Sequence, residues 1–134
     1  MATRSTVLIT GGAGFIGSHL AETLVAGGAD VVCLDDFSTG RYENLTALDG
    51  RPGFRLVVGS VLDRDLVEEL VRETDVVYHL ASAVGVQLIM DRPVHTIESI
   101  FLGTDTVMRS CARYRRPILL RPEPPLPVLA PQYD

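Results

Sequence analysis

Four glycines fall within seven positions, Gly11-Gly-Ala-Gly-Phe-Ile-Gly17, and the segments on either side carry opposite periodicities. Upstream, Thr6-Val-Leu-Ile-Thr10 is short, apolar and β-branched, as a buried strand is. Downstream, Phe15, Ile16, Leu20, Leu24 and Val25 recur at helical spacing until Gly27-Gly28 supplies a stop. A strand that turns through glycines straight into a helix admits few folds, because the helix must pack back against the sheet that the strand belongs to.

The same alternation continues along the chain. Val31-Val-Cys-Leu34 predicts a second strand, reached through a crossover helix and therefore parallel to the first. A turn-rich stretch follows, with one helical turn near Glu43 to Leu48, before Phe54-Arg-Leu-Val-Val58 gives strand 3. A helix opens at Asp63 with Leu66, Val67, Leu70 and Val71 on one face; Asp75 to Leu80 reads as strand 4, Pro93 to Tyr114 as a long amphipathic helix, and Ile118 to Leu120 as strand 5. Right-handed crossovers then give an α/β, doubly wound parallel sheet of order 3-2-1-4-5, the Rossmann arrangement, in a domain spanning residues 1–120. From Arg121 to Asp134 five prolines (122, 124, 125, 127 and 131) forbid a continued helix or a central strand, so the pattern is expected to be truncated after strand 5 and the tail to be irregular.

Composition narrows the function classes. With 46% hydrophobic and 22% charged residues the chain is globular in character, and its apolar runs fall short of the ~20 residues that cross a bilayer. A net charge of −5, with no basic stripe beyond Arg113, Arg115 and Arg116, argues against nucleic acid as a partner; that cluster reads as a solvated helix end. The N-terminal residues lack the order of a signal peptide, which points to the cytoplasm by default. Cys33 and Cys111 lie in apolar segments far apart and read as buried free thiols, and no histidine has metal-ligand spacing.

Gly12-Ala-Gly14-Phe-Ile-Gly17 fits G-x-G-x-x-G, and here the motif follows a strand and opens a helix, the context that gives it meaning. Glycines allow backbone N–H groups to close on a pyrophosphate, and the helix N-terminus adds partial positive charge. The second half of the fingerprint is an acid about 20 residues on, at the end of strand 2, accepting the ribose hydroxyls. Asp35 stands there. Its carboxylate would repel a 2′-phosphate, so NAD is expected rather than NADP.

Thr10-Gly-Gly-Ala-Gly-Phe-Ile-Gly-Ser-His-Leu20 followed by Leu34-Asp-Asp-Phe-Ser-Thr-Gly40 resembles the extended short-chain dehydrogenase/reductase family, specifically its NAD-dependent nucleotide-sugar epimerases, dehydratases and decarboxylases. Gly59-Ser-Val-Leu-Asp63, His79-Leu-Ala-Ser82, Pro93 and Gly103-Thr104 extend the likeness over about the first 120 residues. The resemblance implies Gly11, Gly14, Phe15, Ile16 and Gly17 at the pyrophosphate, Asp35 at the ribose, Asp36, Ser38, Thr39 and Gly40 beside the adenosine half, Ser60 and Val61 flanking adenine, and Leu80, Ala81 and Ser82 along the nicotinamide. It implies a packed, structural His79, a UDP-sugar as substrate of a full-length enzyme (the loop Ala83-Val-Gly-Val86), and a homodimer through the helix around 94–114. Two positions depart from the family: Ser60, where an acid is usual, and Ile100, where an asparagine is usual.

The family's oxidation of a sugar hydroxyl uses a tyrosinate base and a lysine, written Y-x-x-x-K. All 12 basic residues counted as lysine or arginine are arginine, so this sequence contains no such pair and no catalytic residue is assigned. Three readings stay open: a truncated or frame-shifted product of a longer enzyme gene; a non-catalytic module that senses or buffers NAD or is completed by a partner subunit; and an inactive remnant.

Overall fold

The computed structural model describes residues 4–81 and 92–120; Ser82, the Ala83–Val86 loop and the proline-rich tail named above lie outside them. Five strands, β1 (Thr6–Thr10), β2 (Asp30–Asp35), β3 (Phe54–Val58), β4 (Val76–His79) and β5 (Ile118–Leu120), form one parallel sheet of order β3-β2-β1-β4-β5. In the central register Ile9 stands opposite Cys33 on one side and Tyr78 on the other. The strand order matches the one the crossovers predict.

Side chains alternate across the strands, and the two faces collect separate cores. Val7, Ile9, Val31 and Cys33 meet Ala21 and Val25 of helix α1 (Phe15–Ala26) and Leu45 and Leu48 of a 3₁₀ segment, Tyr42–Leu48. Leu8, Leu34 and Val77 face the other way, onto Val67, Leu70 and Val71 of α2 (Arg64–Arg72) and Val107 and Cys111 of α3 (Pro93–Tyr114). Cover on both faces is why β1 and β2 read as near-continuous apolar runs rather than alternating ones. It also puts the two buried thiols on opposite sides of the sheet, where they remain free and cannot pair.

Helix ends follow local chemistry. The Asp63 carboxylate accepts the N–H of Leu66 at 3.3 Å and caps α2, with Asp65 in its first turn and Arg72 in its last, each sign suited to its end of the dipole. α1 stops at Gly27-Gly28, where the Gly28 and Ala29 amides turn back to Val25 O and Leu24 O, each at 3.0 Å. α3 begins on Pro93 and ends through Arg115 in the left-handed region (φ 56°), whose neighbour Arg116 donates its amide to Cys111 O at 2.8 Å.

The structure differs from the sequence reading in several details, and β2 runs one residue further at each end than Val31–Leu34. The turn near Glu43 is a two-turn 3₁₀ segment. β4 is shorter than 75–80, since Asp75 and Leu80 each give only one backbone bond, to Thr6 O (2.7 Å) and Thr10 O (3.0 Å), at the strand's two ends. The arginine cluster is more than a solvated helix end: Arg113 pairs with Glu68 at 2.9 Å and the Arg116 guanidinium donates to Arg72 O at 3.0 Å, strapping the end of α3 to α2. Along its outward side α3 leaves Val94, Ile97, Phe101 and Met108 exposed, a stripe at three- and four-residue and seven-residue spacings, with Phe101 70% exposed. Among the described residues no helix is long and apolar enough to cross a membrane.

Candidate cofactor cleft

The chain leaves the carboxyl end of β1 for a helix on one face of the sheet, and the long helix after the adjacent β4 lies on the other. Between the diverging connections a cleft must open, the position where doubly wound sheets hold ligands. A cleft of about 430 Å³ lies there, within the range of small-molecule sites. One wall is the glycine loop with the start of α1; the other is the start of α3.

The glycine loop is fixed by close approach. Gly11 has φ 73°, and a Cβ there would stand 2.9 Å from the Ala81 nitrogen and the Leu80 carbonyl carbon. A Cβ on Gly17 would strike the Gly11 carbonyl oxygen and come within 2.9 Å of the Gly12 Cα. The loop therefore lies flat against the β4 end with α1 pressed onto it. Gly14 is the N-cap of α1 and brings no side chain to the cap, and the helix has no acid in its first turn. Ser18 is the first amide to reach a helical acceptor, Gly14 O at 2.9 Å, so the amides of Phe15, Ile16 and Gly17 are the orphan donors of the helix start. They face a cleft their own residues line.

Asp35 closes the floor. The residue is only 8% exposed; one carboxylate oxygen accepts the Ala13 N–H at 2.8 Å and the other the Phe37 N–H at 2.8 Å. A carboxylate offers about four lone-pair directions, so two backbone bonds leave room for hydroxyl donors from the cleft. The Ala13 carbonyl is gripped in turn by the Arg41 amide (3.1 Å) and the Asn44 side-chain amide (2.8 Å). Phe37 takes φ 62° to make its bond and stacks on Tyr42 at 4.0 Å. Gly40 does not line the cleft; it packs behind, where a Cβ would lie 2.9 Å from both the Ala13 Cβ and the Asp35 carboxylate.

Every other expected residue in the described part lines this one cleft: Gly11, Gly14, Phe15, Ile16 and Gly17 on one side, Asp35, Asp36, Ser38 and Thr39 at the end of β2, Ser60 and Val61 after β3, Leu80 and Ala81 after β4. Their convergence follows from parallel strands that all end at the same edge. Ser60 spends its hydroxyl locally, accepting the Leu62 amide at 3.0 Å, which shapes the turn into α2. Asp36 does likewise for the Ser38 amide at 2.9 Å. The motif reading missed Arg92, His95, Thr96 and Ser99, which also line the cleft. Their i, i+3, i+4, i+7 spacing marks one face of α3, a signal visible in the sequence once the helix start at Pro93 is fixed.

His79 is 2% exposed and lies beneath the cleft. Thr10 Oγ1 accepts the Leu80 and Ala81 amides at 3.1 and 3.3 Å, which leaves its proton for His79 Nδ1 at 2.7 Å. Nε2 then carries the ring proton and donates to Thr104 Oγ1 at 3.0 Å. Burial lowers the imidazole pKa from 6.5 to about 4, so the ring is neutral, and it ties β1, β4 and α3 together as a structural residue. Burial, and secondarily the Asp35 charge, pushes the Cys33 thiol up to about 12; burial also raises Cys111, and both are unreactive. Among the described residues no group of three or more His, Cys, Asp or Glu side chains is placed to hold a metal.

A family model described as GDP-mannose 4,6 dehydratase matches residues 8–119. The chain belongs to the NAD-dependent epimerase/dehydratase family. Among its relatives, the UDP-N-acetyl-alpha-D-glucosaminuronate decarboxylase of Bacillus cytotoxicus is 39% identical over 112 residues, covering 84% of this chain and 34% of its own length. A UDP-glucose 4-epimerase structure from Thermus thermophilus, in complex with NAD, is 36% identical at a TM-score of 0.69, covering 82% of this chain and 34% of that one. The dTDP-glucose 4,6-dehydratase of Streptomyces venezuelae, with NAD bound, is 32% identical at a TM-score of 0.76, covering 83% and 37%. This epimerase/dehydratase chain thus spans between about a fifth and a third of the length of the curated relatives it matches. Of the two positions expected to depart from the family pattern, Ser60 lines the cleft and Ile100 does not.

The neutral His79 makes stability pH-dependent with a definite sign. In the unfolded chain the ring gains its proton near pH 6.5; in the folded protein it does so only near pH 4. Stability is therefore full above about pH 6.5 and is lost progressively as pH falls to about 4, by roughly 3 kcal/mol from this group. Urea midpoints measured at about pH 7 and about pH 4.5 should show that loss, and a His79→Gln variant a shallower one; equal slopes for both proteins would contradict the assignment.

Proposed function

We propose that this chain is an NAD-binding unit of a nucleotide-sugar epimerase, dehydratase or decarboxylase, with the pyrophosphate at the start of α1 and the adenosine ribose against Asp35. The observation that carries the reading is the flat glycine loop. Side chains at Gly11 and Gly17 would fill or distort it, and the unsatisfied amides of Phe15, Ile16 and Gly17 open onto a cleft that also contains the half-satisfied Asp35 carboxylate.

The donor set fits the dinucleotide along its length. Gly11, Gly14, Phe15, Ile16 and Gly17 take the phosphates; Asp35 accepts from the ribose, with Asp36, Ser38 and Thr39 around the adenosine half and Gly40 packed behind Asp35. Ser60 and Val61 flank the adenine, and Leu80 and Ala81 run toward the nicotinamide. NAD supplies reversible hydride transfer when bound. What this chain contributes is orientation: a rigid amide cradle, a charge that selects against a 2′-phosphate, and apolar walls at Val61 and Leu80.

Several relatives carry UDP-sugar names, decarboxylases and 4-epimerases among them, which makes a UDP-sugar the first candidate substrate of the complete enzyme. Proton abstraction by a tyrosine–lysine pair is not available from this sequence, which has no lysine. The role of the chain itself is thus cofactor binding, and its two buried free thiols suit a reducing, cytoplasmic compartment. The exposed stripe Val94, Ile97, Phe101 and Met108 supports self-association of two copies through α3.

Ligand-side titration tests the cofactor reading without disturbing the loop that Asp35 holds. Calorimetry with the intact chain should show NAD binding and NADP at least roughly tenfold weaker, the Coulomb cost of a phosphate near a carboxylate. Equal affinities, or none, would count against it. For the α3 contact, light scattering after size exclusion should give a dimer that Phe101→Ser converts to monomer; a wild-type monomer that persists at high concentration would remove that part of the proposal.

A further inference from the structure

The cleft carries two carboxylates, Asp35 and Asp36, at the end of β2, yet the ligand proposed for it is itself anionic. Amide dipoles at the start of α1 offset part of that charge, each helix end being worth about half an elementary charge. A permanent positive charge has to come from a side chain, and in a sequence without lysine that side chain is arginine. Among the described residues Arg92 is the one arginine lining the cleft. Elsewhere Arg4, Arg109 and Arg113 are engaged with Asp30, Asp105 and Glu68; Arg92 has no carboxylate within ion-pair distance among the described residues.

Its position is as specific as its charge. Arg92 is the N-cap of α3, held there by the Thr96 amide bonding to its carbonyl at 2.9 Å and the Thr96 hydroxyl at 2.7 Å. Because α1 and α3 pack on opposite faces of the sheet, Arg92 approaches from the wall opposite the glycine loop. His95, Thr96 and Ser99 continue that wall on the same helical face. A diphosphate lying on the α1 amides would face the wall that Arg92 lines.

Resting on the cofactor reading above, we propose that Arg92 is the charge-compensating residue for the diphosphate group of the dinucleotide, clamping it against the start of α1 from the α3 side. The guanidinium suits this task, since its planar fork can bond two phosphate oxygens at once. The contact ties the start of α3 to the glycine loop only when a diphosphate is present, so it distinguishes ligands by phosphate content and not by base.

The test compares the intact chain with Arg92→Gln, Arg92→Lys and, as a charge control at the far end of α2, Arg72→Gln, titrated with NAD, ADP and AMP at low and high salt. Loss of one charge-assisted contact predicts roughly tenfold weaker NAD and ADP binding for R92Q, a smaller loss for AMP, and partial rescue by R92K. R72Q should match wild type, and the wild-type preference for ADP over AMP should shrink in high salt while that of R92Q barely moves. Wild-type NAD binding that R92Q leaves unchanged would overturn the Arg92 role and keep the cofactor reading. An equal loss for NAD, ADP and AMP would also overturn it, as a sign of general damage. Wild type that binds none of the three ligands would overturn both.

Discussion

Two backbone hydrogen bonds to one carboxylate hold the cleft in shape. Asp35 receives the Ala13 amide from the glycine loop and the Phe37 amide from the turn after β2, so the loop and the strand end are one rigid unit. Asn44 and Arg41 complete the grip on the Ala13 peptide from the 3₁₀ segment outside. With both backbone groups of Ala13 fixed, Gly11 can lie against the end of β4 and α1 can press onto the loop without any side chain intervening. Removing the carboxylate would free the Ala13 amide inside the protein, a cost of about 1–3 kcal/mol, besides altering any ribose contact. Structure and proposed binding thus draw on the same residue, which is why ligand substitution separates them better than mutation of Asp35.

The second constraint is topological. β1 and β4 are neighbours, yet the helices that follow them lie on opposite faces, and the sheet edge between them cannot be covered by either. Charge then sorts the two walls. The α1 side offers amide donors and the β2 end two carboxylates, while the α3 side offers one arginine. His79 lies under this arrangement, bonded to Thr10 and Thr104, so that the β1 end, the β4 end and the α3 wall share one buried polar network. A neutral ring is required there because burial penalises the charged form and neither threonine compensates it.

Much of this was legible in the sequence. Glycines bracket α1 at both ends, β-branched runs mark β1 and β2, and parallel pairing carries Asp35, Ser60 and Leu80 to the same edge as the loop without any long-range information. The twin use of Asp35 was not legible, because its bonds run to backbone amides that no side-chain pattern encodes. Nor was the strap formed by Arg113 and Arg116: a basic helix end looks the same whether it faces water or the carbonyl of Arg72. The cleft face of α3 was legible only in part. Arg92, His95, Thr96 and Ser99 repeat at helical spacing, but which face of a long helix meets the cleft is decided by Val107 and Cys111 packing on the sheet.

Amide chemical-shift mapping by NMR with NAD reads where the ligand lies and not only whether it binds. With the dinucleotide in the cleft, the largest shifts fall on the amides of Gly14, Phe15, Ile16 and Gly17 and on the turn from Asp35 to Thr39, with the β3 edge and the outer face of α3 unmoved. Shifts absent from the glycine loop, or concentrated on that outer face, would contradict that placement.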